Sequence, residues 1–212
     1  MPKETFFNLP EEKRRRIVEL ALEEFAAHPY REASLSRLVR RAGIAKGSVY
    51  QYFGDKFDLY LYLVRQLADA KHRLVDEGLS RLGPEAGLFE RLLAATEASL
   101  RLAEEEPQLY ALGQHLVRET DRALLQRVMA ELGPQADLVL LDWITEAKER
   151  GELRPSVKPE VVQFIFSAVS WQASRALVEG ALPPEAVRDL MREVFEILEN
   201  GVRPRKEGDD RR

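Results

Sequence analysis

Apolar residues recur at intervals of three and four along most of the 212-residue chain, the period of a helix that turns one face to a core. Ile17, Leu20, Ala21 and Phe25 form one such face. Their helix is predicted to start near Pro10, where the missing amide hydrogen of proline costs nothing. Leu35, Leu38, Val39 and Ala42 form the next face behind Ser34, a good N-cap, with Arg37, Arg40 and Arg41 on the other side. Asp55 is placed to cap a further helix, with Asp58 three residues on and Tyr60, Leu63, Val64, Leu67 and Leu74 as its stripe. No alternating apolar runs are joined by hairpin residues, so no strand pair is predicted.

Beyond about residue 80, proline and glycine punctuate the chain at Gly83-Pro84, Pro107, Gly133-Pro134, Gly151, Pro159, Gly180 with Pro183-Pro184, and Gly201. The segments between them have helical length, and no spacing repeats. Val161 to Trp171 is apolar almost all round, which predicts a helix buried on more than one side. Val187, Leu190, Met191, Val194, Phe195 and Leu198 mark one face of the last helix, and the polar tail KEGDDRR is predicted to fray. The fold class is therefore all-α, with about nine helices.

One stretch, GIAKGSVYQYFGDKFDLY from Gly43 to Tyr60, carries more chemistry than the rest. Gly43 can adopt the left-handed conformation that stops a helix, and Ile44 can plug the turn into the core. In the short helix that follows, Val49 and Phe53 point the same way at about 100° per residue, toward the core. Gln51 points almost opposite, with Gly47 and Ser48 beside it and Tyr50 and Tyr52 on the flanks. Glycine inside a helix costs about 1 kcal/mol relative to alanine, so Gly47 asks for a reason. Close approach of its backbone to a ligand supplies one, and the face suits a DNA major groove.

Charge supports that direction. Residues 1–73 hold 14 Lys+Arg against 10 Asp+Glu, and the remainder 18 against 26, so the formal net charge of -4 divides into a basic amino-terminal third and an acidic rest. The absence of cysteine excludes disulfides, thiolate metal sites and a catalytic thiol. Three scattered histidines make no metal site, and no glycine-rich phosphate loop, GxSxG or HExxH occurs. The expectation is a non-enzyme without metal or cofactor. It is also a chain without a membrane segment, since no signal-length or spanning apolar run is present, and it is expected in the cytoplasm.

The segment AGIAKGSVYQYFGDKFDLY, with ALEEFAAHPYREASLSRLVRRAG before it, resembles the helix-turn-helix signature of the TetR family of bacterial transcriptional regulators over about residues 10 to 63. The resemblance implies a three-helix DNA-binding domain at 1–54 and an effector-binding, dimerising domain at 55–212, the helix from Asp55 alone joining the two. It implies that Lys46, Gly47, Tyr50 and Gln51 approach base edges or nearby backbone, and that Ser34, Ser48, Tyr52 and Lys56 hold phosphates. Pro29 stands where the family usually has glycine, and Ala45 where it commonly has serine or threonine. Helices at about 159–180 and 184–200 are implied to pack against their mates in a homodimer on a palindromic double-stranded DNA operator. The implied function is a repressor released by a small-molecule effector. A helical sensor without specific DNA binding is the alternative.

For the effector, apolar bulk with a few polar groups makes Phe89, Leu92, Leu93, Thr96, Tyr110, His115, Trp143, Phe164, Ser167 and Trp171 the candidate ligand-binding residues. Their character points to a hydrophobic or amphipathic compound, a long-chain acyl-CoA among them.

Overall fold

The computed structural model describes residues 2–133 and 135–203, so the polar tail lies outside the described residues. Within them there are eleven helices and no strand. They are α1 (Glu4–Phe7), α2 (Glu11–Ala27), α3 (Leu35–Ala42), α4 (Lys46–Tyr52), α5 (Lys56–Leu79), α6 (Leu88–Glu105), α7 (Pro107–Val117), α8 (Arg122–Leu132), α9 (Gln135–Glu149), α10 (Pro159–Val178) and α11 (Pro184–Val202).

Local chemistry sets their ends. Pro10 is the N-cap of α2, which carries Glu11 and Glu12 in its first turn near the positive end of the helix dipole. α7, α10 and α11 open on proline, where the lost N–H is free of cost. Two helices exceed the nine expected. One is α1, too short to show a period. The other comes from a break at residues 118–121 inside a run read as one helix, where the Asp121 carboxylate accepts from the N–H groups of Ala123 at 3.0 Å and Leu124 at 3.2 Å and starts α8 afresh.

Contacts gather the chain into two compact units, Met1–His72 with Arg101–Gly133, and Arg73–Leu100 with Pro134–Arg212. The division at residue 54 expected for function runs through the first unit, because α7, α8 and most of α5 belong with the helix-turn-helix. Both α5 and α6 run from one unit into the other.

The first unit is built around aromatic rings. Phe25, Tyr30 and Tyr60 meet at centroid distances of 4.9 to 6.3 Å, and Phe6, Phe53 and Tyr62 form a second group. α7 packs along α2, and His115 Nε2 hydrogen-bonds the Ala26 carbonyl at 3.0 Å.

In the second unit Leu88, Leu92, Ile144, Val162, Val187, Met191 and Phe195 form the core. Its rim is pinned by Arg91–Glu146 at 2.6 Å and Arg188–Glu97 at 2.9 Å, and by the Leu88 N–H donating to the Glu152 carboxylate at 2.8 Å. α10 is not buried on several sides as its composition suggests. Val162 and Ala173 are covered by neighbouring helices, but Val161 is exposed and Phe164 is 74% exposed. No helix among the described residues is long and apolar enough to cross a membrane.

Candidate nucleic-acid interface and ligand cavity

The turn that presents α4 forms as its residues require. Ser34 Oγ accepts from the Arg37 N–H at 3.4 Å to start α3. Gly43 ends it with φ 65°, the Ile44 N–H reaching the Val39 carbonyl at 3.2 Å and the Gly43 N–H the Arg40 carbonyl at 3.4 Å, the paired bonds of a Schellman cap. Ile44 packs on the core. α4 then buries Val49, with Phe53 just beyond its end, while Gly47 and Gln51 are exposed, Tyr50 is 44% exposed and Ser48 is half-buried. Lys46 opens the helix, and its side chain lies outside what is described. Pro29 turns the chain between α2 and α3 without positive φ, its carbonyl accepting from the N–H groups of Glu32 and Ala33 at 3.0 Å.

Two sequence candidates are turned inward. Tyr52 is 7% exposed, its ring 6.2 Å from that of Phe6, and belongs to the core. Lys56 donates from Nζ to the carbonyls of Tyr30 at 2.6 Å and Ala33 at 3.1 Å, and lies over the Tyr30 ring. Burial pulls its pKa down, and nearby Glu24 opposes that only in part. Its geometry is that of a staple between α5 and the turn before α3 rather than of a phosphate ligand. Arg37 and Arg41 are likewise paired, with Glu24 and Glu23. Asp55 accepts from the Asp58 N–H at 2.8 Å and caps α5, as its sequence position predicts.

The α4 face also rests on residues that periodicity missed. Phe6 of α1 is fully buried, 4.8 Å from Phe53 and 5.6 Å from Tyr62. The adjacent Phe6-Phe7 pair was the available signal.

The ligand candidates do not converge. A cavity of ≈ 590 Å³ opens within the second unit, lined by Phe89, Leu92, Arg154, Lys158, Phe166, Phe195 and other mostly apolar residues. Of the candidates, Phe89 and Leu92 line it. Leu93 and Trp143 pack on the core beside it. The Thr96 hydroxyl is engaged with the Leu92 carbonyl at 3.0 Å. Trp171 is half-buried, Ser167 and Phe164 are exposed, and Tyr110 and His115 lie in the other unit. The residues that sequence missed, Arg154 and Lys158, stand in the loop before α10, where charge rather than period is the signal.

Comparison with known proteins places this arrangement. Residues 17–63 match the family described as bacterial regulatory proteins, tetR family. The chain is 28% identical over 197 residues to the HTH-type transcriptional repressor AcnR of Corynebacterium efficiens, covering 92% of this chain and 94% of that protein. Among solved structures it resembles a TetR family transcriptional regulator from Chloroflexus aurantiacus, with a TM-score of 0.75, 29% identity and coverage of 97% and 100% of the two chains. It shares its fold with the transcriptional regulator FadR from Bacillus subtilis, solved in complex with stearoyl-CoA, with a TM-score of 0.71, 19% identity and coverage of 89% and 98%. Residues 17–63 thus carry the helix-turn-helix of the TetR family of transcriptional regulators, and along its whole length the chain resembles members of that family.

Proposed function

We propose that this protein is a repressor that reads a near-palindromic operator with α4 and lets go when a hydrophobic or amphipathic ligand binds. Gly47 is the observation that carries the reading. It lies inside a helix, has no positive φ, and a Cβ added to it would meet nothing within 4 Å, so neither backbone nor packing asks for glycine. A seven-residue helix tolerates that cost of about 1 kcal/mol when something outside the protein approaches its backbone. Gly47 shares the exposed face with Tyr50 and Gln51, whose side chains would read base edges, while Ser48 and Ser34 would meet phosphates. Tyr52 and Lys56 support that face from within.

The partner to this face would be a second copy, so that two α4 helices enter successive major grooves about 34 Å apart. The effector would enter the cavity of the second unit, whose volume is that of a ligand site, roughly 300–1,000 Å³. Its apolar walls suit an aliphatic chain, and Arg154 and Lys158 suit an anionic head. A long-chain acyl-CoA has both, and FadR from Bacillus subtilis was solved with stearoyl-CoA. Binding would shift the dimer away from DNA by about 1–3 kcal/mol, with α5 and α6 carrying the change.

Gly47→Ala tests the reading, because it sets stability against binding. The substitution stabilises α4 by up to about 1 kcal/mol in denaturant. It lowers affinity for a duplex selected by the wild type from a random library by about tenfold or more, since the added methyl stands between backbone and groove. An alanine variant that binds the selected duplex as tightly as wild type refutes the assignment.

A further inference from the structure

The chain ahead of α2 has no part in the DNA reading so far, yet its hydrogen bonds reach the carboxy-terminal end of α4. A helix leaves its last four carbonyls without partners of its own. In α4 these belong to Val49, Tyr50, Gln51 and Tyr52. The Phe53 N–H takes the first at 2.8 Å. The other three are met by two residues almost fifty positions upstream. The Lys3 ammonium donates to the Tyr50 carbonyl at 2.7 Å, the Thr5 hydroxyl to the Gln51 carbonyl, and the Lys3 backbone N–H to the Tyr52 carbonyl at 2.7 Å. Phe6, buried among Tyr52, Phe53 and Tyr62, anchors the donors in place.

α4 needs such help. Ala45 gives it no side-chain cap, Gly47 weakens its first turn, and Phe53 leaves it in an extended conformation rather than the left-handed one that closes α3. A helix of seven residues does not hold itself together in water. The ammonium of Lys3 also sits at the negative end of the helix dipole, where a cation is favoured. The carbonyls that are held belong to Tyr50 and Gln51, the residues whose side chains face the groove, and a fixed carbonyl fixes the direction of the Cα–Cβ bond beside it.

We propose that Lys3 and Thr5 are positioning residues for sequence reading: they cap α4 and set the aim of Tyr50 and Gln51 without themselves contacting a base. This rests on the assignment of α4 as the reading helix.

The full-length protein is compared with Thr5→Val, which keeps size and charge, Lys3→Met, which keeps the stem, and Lys3→Arg, which can still donate. Amide hydrogen exchange in α4 is measured together with affinity for a duplex selected by the wild type and for a random duplex, across a salt series. The denaturation midpoint serves as a control. Thr5→Val and Lys3→Met should each speed exchange in α4 and weaken binding to the selected duplex by about tenfold, with random-duplex affinity held within about twofold. Thr5→Val should leave the salt dependence unchanged, and Lys3→Arg should behave as wild type.

Equal loss for both duplexes overturns the proposal, whether the salt slope falls by about one, as for a phosphate contact, or the denaturation midpoint drops with it. Exchange in α4 that neither substitution alters also overturns it. Failure of the wild type to select any duplex would instead sink the function given to α4, and exchange would still decide whether the cap exists.

Discussion

Glu24 shows how one carboxylate can set a junction between two helices. It lies in α2 only 5% exposed, and each approach to it is answered. It accepts from the Ser34 N–H at 2.7 Å, from Arg37 Nε at 3.0 Å and from Arg37 Nη2 at 2.5 Å. Burial alone would push its pKa up, but the guanidinium and the N–H outweigh burial and hold the carboxyl below its ordinary value. Folding therefore favours the ionised form. The stabilisation is complete above the ordinary glutamate range and is lost as pH falls through the lowered value. Glu24→Gln turns an amide toward Arg37 and should cost about 2 kcal/mol at neutral pH, a figure discounted because Arg37 is partly exposed. Urea midpoints at about pH 7 and about pH 3 should show the gap to wild type narrowing with acid, because below the ordinary glutamate range the unfolded chain takes up the proton more readily than the folded one. A gap that stays constant would mean the carboxylate charge is not what holds α3 to α2.

Among the elements, the sharpest constraint is the three-residue turn from α3 into α4. Gly43 at φ 65° is the hinge of its Schellman cap, and nothing lies within 4 Å of where a Cβ would stand. The cost of Gly43→Ala is thus backbone strain alone, about 1–2 kcal/mol, and Gly43→Asn should cost less, since asparagine tolerates that region. Thermal melts of the two variants measure this, and a melt of the alanine variant equal to wild type would discard the strain argument. Gly43, Ser34, Asp55 and the Val49 and Phe53 spacing were legible in the sequence because caps and period are local signals. Other features depended on partners far away in the chain. α1 is four residues long and held by α4, so no period announces it. Lys56 reads as a phosphate contact until the carbonyls of Tyr30 and Ala33 are seen around it. The ligand candidates scattered because an apolar helical face looks the same whether it meets a core, a cavity or a second chain.

For the whole molecule the decisive feature is an uncovered apolar face. Phe164 on α10 is 74% exposed and Ile197 on α11 is 71% exposed, with Val161 and Leu190 also open, and α10 and α11 pack against each other. Covering a phenylalanine or an isoleucine gains about 1.5–3 kcal/mol, and a twofold axis would cover each residue twice. On the function proposed above, a second copy on this face would bring two α4 helices to one duplex, and linked binding of that kind multiplies affinity by about 10²–10⁴. Phe164→Glu and Ile197→Glu place like charges face to face across the axis, on side chains that touch little in their own chain. Each should convert a particle of two chains into one of a single chain by light scattering, with the helical circular dichroism signal preserved. Affinity for a duplex with both half-sites should then fall by about a hundredfold or more, and affinity for one half-site should stay as it was. A substituted protein that remains dimeric would move the interface off α10 and α11. One that becomes monomeric yet keeps full affinity for the double site would show that pairing of the two reading heads is not the source of tight binding.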